Sequence, residues 1–226
     1  MTAKRKSAAG QRKKVFIVDD HPMMREGLAQ LIAQEQDLTV CGEAEDAAEA
    51  LKKIEELRPD LALVDITLRS TNGLELIKDL RIRTPDTAVL VISMHDESLY
   101  AERVLRAGGR GYIMKQEGGK KLLSAIRHVL SGKTYVSEKI SARILDLFSG
   151  RPAEGASPVE RLTDREFEVF QLIAQGLSTK EIADKLHVSA KTIEVHRVNI
   201  KQKLNVATAP ELIRFAVRWA ESERPL

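Results

Sequence analysis

Between Val15 and Lys133 the sequence alternates short runs rich in β-branched residues with amphipathic stretches of helical spacing. The runs are VFIVDD, LTVCGEA, LALVDI, AVLVIS and GYIMK, at 15–20, 38–44, 61–66, 88–93 and 111–115. Five strands that alternate with helices predict an open parallel sheet with helices on both faces. The runs are nearly all apolar, as expected of strands covered on both faces. We therefore predict a doubly wound α/β domain that binds its ligand at the carboxyl ends of its strands.

The rest of the chain has a different pattern. SEKISARILDLF at 137–148 predicts one short helix, and SGRPAEGASP at 149–158 predicts a linker because it combines two glycines with two prolines. Capping boxes at Thr163–Glu166 and Ser178–Glu181, a cap at Ser189, a terminating Gly176 and an apolar stripe over 209–220 predict four helices. The predicted segments are a basic tail over 1–14, an α/β domain over 15–133, a linker over 134–160 and a small all-α four-helix domain over 161–226.

Charge and cysteine content exclude several classes of protein. The net charge is +3, but the first 14 residues alone contain six Lys or Arg and no acid, so the basic pI is a poor argument for nucleic-acid binding. The single cysteine, Cys41, excludes an intrachain disulfide framework. No apolar run reaches the roughly 18 residues of a membrane span, and no apolar core follows the basic N-terminus. We therefore predict a cytoplasmic location and no membrane partner.

Carboxylates follow two of the predicted strands. Asp19 and Asp20 end the first run, and Asp65 ends the third. On neighbouring parallel strands these groups would gather at one edge and repel one another, which raises at least one pKa unless a cation lies among them. Oxygen ligands of this kind suit Mg²⁺. The alternative is that the aspartates only cap helices.

Two further polar residues are predicted at the same edge. Ser93 ends the fourth run and Lys115 ends the fifth. An ammonium near the carboxylates can neutralise a phosphoryl group, and a hydroxyl can donate a hydrogen bond to one of its oxygens. Asp65 is then a candidate nucleophile that becomes an aspartyl phosphate.

These motifs resemble the receiver domain of two-component response regulators, which has a flavodoxin-like fold. The matching pieces are VDDHP at 18–22, Asp65 with Gly73 eight residues on, VISMHDE at 91–97 and GYIMK at 111–115. The resemblance implies that Asp65 accepts phosphate from a sensor histidine kinase. The implied ligands of Mg²⁺ are Asp19, Asp20, Asp65 and the backbone carbonyl of Thr67. The implied phosphoryl-contact and switch residues are Ser93, Lys115 and Tyr112, whose ring would rotate inward when Ser93 moves.

The chain departs from the receiver pattern at two positions. Many receivers have proline four residues after the phosphorylated aspartate, where this chain has Arg69. Many also have proline after the lysine, where this chain has Gln116. Neither difference removes a chemical group from the predicted pocket.

Residues 178–204 predict a helix-turn-helix. The outer face of its second helix carries Lys191, Arg197, Lys201 and Lys203 against one acid, Glu194. A helix of this charge suits the major groove of DNA, flanked by phosphates. Charge alone leaves an equal alternative, a solvated face on a small helical bundle.

The sequence LTDREFEVFQLIAQGLSTKEIADKLHVSAKTIEVHRVNIKQKL at 162–204 resembles the LuxR-type DNA-binding domain. Joined to a receiver, it is similar to transcriptional regulators of the NarL/FixJ type. The resemblance implies base contacts by Glu194, Val195 and Val198. It implies phosphate contacts by Lys180, Lys191, Thr192, His196, Arg197 and Lys201. His196 and Arg197 could instead pack within the domain.

The resemblance also implies how the protein acts. Phosphorylation of Asp65 would lead to a homodimer on promoter DNA, with RNA polymerase as a further partner. The implied dimer surface on the last helix consists of Leu212, Ile213, Ala216, Val217 and Trp219. Two alternatives are a phosphatase that uses Asp65 as nucleophile and a protein-binding adaptor that no longer binds DNA. The expected protein is a regulator and not an enzyme, since the helical part has no catalytic cluster.

Overall fold

The computed structural model describes residues 12–68, 73–148 and 158–222, except the side chains of residues 147 and 148. Within these ranges, strands β1–β5 span Lys13–Val18, Leu38–Ala44, Leu61–Asp65, Ala88–Ser93 and Gly111–Met114. Helices α1–α5 span Pro22–Ala33, Ala47–Leu57, Gly73–Arg83, Glu97–Ala107 and Gly119–Leu130. All five predicted strands are confirmed, with ends within two residues of the predicted ones.

The strands form one parallel sheet in the order β2-β1-β3-β4-β5. Val18 pairs with Val64 in the register of β1 and β3. Asp19 and Asp65 therefore follow level positions on adjacent strands, which brings their carboxylates to one edge. The predicted gathering of these groups is confirmed.

Side chains of each strand alternate between two apolar layers, because successive residues of a strand point to opposite faces. Phe16 and Val18 pack in the layer that contains α2, α3 and α4, whereas Val15 and Ile17 pack against α1 and α5. All four of these side chains are fully buried. This arrangement explains the continuous apolar runs and leaves the strand ends as the polar part of the sheet.

A helical domain follows the α/β domain. Helices α6–α10 span Glu138–Phe148, Asp164–Ala174, Thr179–Lys185, Ala190–Leu204 and Ala209–Ser222. Both predicted capping boxes are present, Ser189 caps α9, and Gly176 has a φ of 84° just after α7. The predicted helix over 137–148 is confirmed, whereas residues 149–157 of the predicted linker lie outside the described residues. In the parts of the chain that the structure describes, no helix could cross a membrane.

The two domains touch through α4 and α7. The Arg103 guanidinium lies 3.1 Å from a carboxylate oxygen of Asp164 and 4.7 Å from the centre of the Phe167 ring. Lys78 of α3 also pairs with Asp164, at 3.0 Å. The start of α7 is therefore held against α3 and α4, which cover one face of the sheet.

Candidate functional site

Four side chains form a compact acidic cluster at the carboxyl edge of the sheet. One ligand atom each from Asp19, Asp20, His21 and Asp65 can be chosen so that all lie within 4.8 Å of one another. The carboxylates of Asp19 and Asp65 are almost fully buried, and that of Asp20 is slightly exposed. The donor set fits a hard divalent cation such as Mg²⁺.

Lys115 bridges two of these carboxylates. Its ammonium donates to Asp19 at 2.6 Å and to Asp65 at 2.7 Å, and its side chain is 5% exposed. The lysine directly follows β5, which lies two strands away from β3, so the sheet brings the three residues together across a long sequence separation. The predicted position of Lys115 at the pocket is confirmed.

Burial and charge act in opposite directions on the central carboxyl. Burial raises the pKa of Asp65 above its usual value, while the hydrogen bond from Lys115 opposes the rise. Burial disfavours the Lys115 ammonium, but its hydrogen bonds to Asp19 and Asp65 outweigh this and raise the pKa of Lys115. The pocket therefore stabilises positive charge next to Asp65, as a carboxylate nucleophile requires when it approaches an anionic phosphoryl group.

The loops after β3 and β4 meet beside Asp65. The Thr67 hydroxyl lies 3.1 Å from the His95 ring nitrogen Nε2, and the Thr67 amide donates to Asp65 at 3.1 Å. Ser93 is fully buried, and its hydroxyl accepts a hydrogen bond from the His95 amide. Tyr112 is 1% exposed and its hydroxyl donates to the His95 carbonyl at 2.8 Å. The ring of Tyr112 thus occupies the inward position.

Tyr100 continues this set of contacts into the helical domain. Its ring centre lies 5.2 Å from that of His95 and 5.3 Å from that of Phe167. Its hydroxyl accepts a hydrogen bond from the Gln171 side chain at 2.6 Å. Burial raises the pKa of Tyr100, so the hydroxyl stays protonated. Sequence reasoning missed Tyr100 and Gln171, because nothing in either helix pattern indicates that they pair.

The predicted DNA-contact residues lie along α9 and at the start of α8. The side chains of Lys180, Lys191, Thr192, Glu194, Val195 and Val198 are exposed, and those of His196, Arg197 and Lys201 are partly buried. Val195 and Val198 are 53% and 46% exposed, although both are apolar. The face predicted to contact bases is therefore open to solvent with the α/β domain in place.

The prediction that Lys203 belongs to the exposed basic face of α9 is wrong. Lys203 does not lie free on the outer side of α9, because its ammonium pairs with the buried Glu166 of α7 at 2.5 Å. His196 also turns partly inward, and within the described residues its buried Nδ1 atom has no hydrogen-bond partner. The cationic face is consequently smaller than the sequence indicates.

The last helix also differs from the prediction. Leu212 and Ala216 are fully buried and belong to the domain core, so the prediction that they lie on a dimer surface is wrong. Trp219 is partly buried, with ring centres 5.7 Å from Phe167 and 5.2 Å from Phe170. Ile213 and Val217 are 42% and 36% exposed. They are the apolar residues of this set that α10 presents to solvent.

Three other positions complete the comparison with the sequence. His21 lies in the acidic cluster, with Nδ1 2.8 Å from Asp20. Arg69 lies outside the described residues. Gln116 follows Lys115 in a short 3₁₀ turn, and the described residues contain no cis peptide bond.

Known proteins resemble both halves of this chain. Residues 15–127 match the response regulator receiver domain, and residues 160–216 match the luxR family of bacterial regulatory proteins. Oxygen regulatory protein NreC of Staphylococcus carnosus is 36% identical over 210 residues, which cover 91% of this chain and 97% of NreC.

Solved structures extend the similarity to the full architecture. RcsB from Salmonella enterica serovar Typhimurium, bound to promoter rprA in the presence of the phosphomimetic BeF3−, superimposes with a TM-score of 0.70 at 26% identity. That match covers 92% of this chain and 99% of RcsB. A structure of two RcsB dimers bound to two parallel DNAs gives a TM-score of 0.56 at 27% identity, covering 91% of this chain and 98% of that one.

Proposed function

Since the chain belongs to the response regulators that carry a LuxR-type DNA-binding domain, we propose that phosphoryl transfer to Asp65 switches its binding to promoter DNA. The observation that carries the proposal is the position of Asp65. It is a buried carboxylate at a strand end, within hydrogen-bond distance of Lys115 and next to two further aspartates. The phosphoryl donor would be a phosphohistidine of a sensor kinase.

Asp65 acts as the nucleophile in this proposal. One of its carboxylate oxygens attacks the phosphorus, the phosphorus–nitrogen bond breaks, and the electron pair returns to the imidazole, which takes up a proton. Lys115 pairs with the new phosphoryl oxygens, and the Ser93 hydroxyl donates to one of them once it turns from the His95 amide. The protein mainly positions the groups and offsets charge, as phosphoryl transfer requires.

Mg²⁺ would be held by Asp19, Asp20 and Asp65 together with the Thr67 carbonyl. When bound, the cation neutralises part of the charge on the phosphoryl oxygens. Lys115 already occupies one side of Asp19 and Asp65, which leaves the side facing Asp20 and His21 for the cation. The fit of the donor set to a hard cation supports this assignment.

We infer that the contacts around His95 pass the change to the helical domain. Phosphorylation draws Ser93 and Thr67 toward the phosphoryl group, and both residues touch His95. His95 in turn stacks on Tyr100, which holds Gln171 of α7. A new charge can shift a two-state contact of this kind only if it is bonded better in one state than in the other.

Binding of promoter DNA by a dimer completes the proposal. The exposed face of α9 offers cations for phosphates and Glu194, Val195 and Val198 for base edges. A two-fold dimer through the exposed Ile213 and Val217 would bind paired half-sites. The DNA-bound structures of RcsB, a protein of the same architecture, support this reading.

Selection of genomic DNA fragments tests the function. Purified full-length protein is incubated with fragments in Mg²⁺, with and without a small phosphodonor, beside the Asp65→Asn variant. We expect a paired, symmetric motif that is enriched with phosphodonor, and an Asp65→Asn protein that takes up no phosphoryl group. Normal labelling of Asp65→Asn would refute the assignment of the nucleophile. A protein that enriches no DNA but turns over an external phosphoester would favour the enzyme alternative, and one that does neither would favour the adaptor.

A further inference from the structure

One hydrogen bond connects the two helices of the helix-turn-helix on their outer side. The hydroxyl of Thr179 donates to Oε1 of Glu194 at 2.8 Å. Thr179 is the first residue of α8, and Glu194 is the fifth residue of α9. The bond therefore joins the start of one helix to the exposed face of the other.

When α9 lies in the major groove, a Glu194 carboxylate that accepts no hydrogen bond from a base disfavours DNA binding. The residue lies on the face of α9 that carries Lys191, Val195 and Val198, the face that would enter the major groove. A carboxylate at that position is repelled by the DNA phosphates, so it contributes to binding only where a base presents a hydrogen-bond donor. In the major groove such donors are the amino groups of cytosine and adenine.

Thr179 restricts what the Glu194 carboxylate can do. The hydroxyl occupies Oε1 and leaves Oε2 as the acceptor for a base. Thr179 is itself well fixed: it is β-branched, which limits its rotamers, and it follows Ser178, whose capping box with Glu181 is complete. An otherwise flexible glutamate is thus held by a donor whose position the backbone sets.

We propose that Thr179 is a positioning residue for sequence recognition, because it holds Glu194 so that one carboxylate oxygen accepts a hydrogen bond from a base amino group. The proposal rests on the proposed function, since it requires that α9 enters the major groove. Thr179 contributes no base contact of its own. Its effect is on the discrimination between base pairs and not on the overall affinity for DNA.

The test measures base preference in the full-length protein. The phosphodonor-treated parent is first used to select its site from random duplexes. Thr179→Val, which keeps the shape of the side chain and removes the donor, is then compared on that site and on duplexes with each base pair changed. Binding is measured at several salt concentrations, and a thermal melt by circular dichroism checks that each variant is folded.

We expect Thr179→Val to reduce the preference at one base pair per half-site about fivefold, the effect of about 1 kcal/mol. The affinity for unrelated DNA and its salt dependence stay unchanged. Thr179→Ser, which restores the hydroxyl, recovers the preference. In a Glu194→Ala background, Thr179→Val has no further effect on preference, because the group that it positions is gone.

Three results would overturn the proposal. An unchanged preference in folded Thr179→Val would show that the hydroxyl positions nothing. An equal loss of affinity on all sequences, with a weaker salt dependence, would show that Thr179 contacts a phosphate instead. A loss that persists in the Glu194→Ala background would show a role independent of Glu194. Failure of the parent to bind any duplex would be distinct from these, since it would refute the proposed function as well.

Discussion

Replacing Lys115 by methionine tests whether its ammonium stabilises the acidic pocket. The ammonium lies 2.6 Å from Asp19 and 2.7 Å from Asp65, and the side chain is 5% exposed. Removing one member of a buried ion pair leaves the other charge uncompensated and costs about 3–5 kcal/mol. Total stabilities of folded proteins are about 5–15 kcal/mol, so we expect a large loss of stability of the α/β domain in metal-free buffer near neutral pH.

Urea unfolding in metal-free buffer measures this loss. Circular dichroism follows both domains, whereas fluorescence of the single tryptophan, Trp219, follows the helical domain in which it packs. With a urea dependence of about 2 kcal/mol per molar, the loss lowers the midpoint of the α/β domain by about 2 M. We expect the dichroism transition to shift far more than the fluorescence transition.

Acid and Mg²⁺ each reduce the expected loss. Burial raises the pKa of Asp65 and the Lys115 hydrogen bond opposes the rise, so the pKa of Asp65 is higher still in the variant. A carboxyl whose pKa is raised in the folded state loses stability as the pH rises from the pKa of the unfolded chain, about 3.9, to the raised folded value. The difference from the parent therefore narrows as the pH falls through the raised pKa of Asp65 toward that of an unfolded aspartate. A cation that binds only the folded pocket restores stability at neutral pH.

The matched control is Lys121→Met. It removes the same charge from an ion pair of similar length, 2.6 Å to Glu117, but the Lys121 side chain is 57% exposed. We expect almost no change in its urea midpoint, because exposed pairs contribute little. An unchanged midpoint for Lys115→Met in metal-free buffer would refute the reasoning, since it would show that the two buried contacts do not stabilise the fold.

Three further changes probe the DNA face, the helical core and the contact between the domains. Lys191→Ala weakens binding to all DNA sequences and reduces the slope of log affinity against log salt by about 1; a filter-binding titration that gives the parent slope would contradict a phosphate contact. Lys203→Met destabilises the helical domain by about 1–2 kcal/mol, followed by Trp219 fluorescence in urea. Burial alone would raise the pKa of Glu166, but its bonds to Lys203 and Thr163 lower it overall, so this loss shrinks as the pH falls below about 4.5. Tyr100→Phe leaves the Gln171 amide without its acceptor and loosens the docked domains; an unchanged small-angle scattering curve for the unphosphorylated protein would contradict this.

The acidic pocket could be predicted from the sequence because its residues follow apolar runs directly. Once the runs are read as neighbouring parallel strands, the positions of Asp19 and Asp65 follow from the geometry of the sheet, and the register of β1 and β3 agrees. The helix starts were predictable for a similar reason, since a capping box is a local motif. In both cases the feature that supports the prediction, an apolar run followed by a carboxylate or a capping box, is contained in a few consecutive residues.

The predictions that failed concern residues whose environment is set by distant parts of the chain. Leu212 and Ile213 are both apolar residues of α10, yet the first is fully buried and the second is 42% exposed. The sequence shows that α10 is amphipathic but not where its buried face ends. Lys203 looks like any other lysine of α9 until Glu166, on another helix, is placed beside it. A helical pattern alone cannot supply these contacts.

The position of Phe167 limits how the α/β domain can control the helical domain. Phe167 touches Tyr100 and Arg103 of α4 and also Trp219 of α10. Val195, on the face of α9 predicted to contact bases, is 53% exposed in the same arrangement. Release of α7 is therefore not required to uncover the face of α9 that is predicted to contact bases, because that face is already accessible. Under the proposed function, we expect release of α7 to act on the packing of α10, and through α10 on Ile213 and Val217, the proposed contacts between two helical domains.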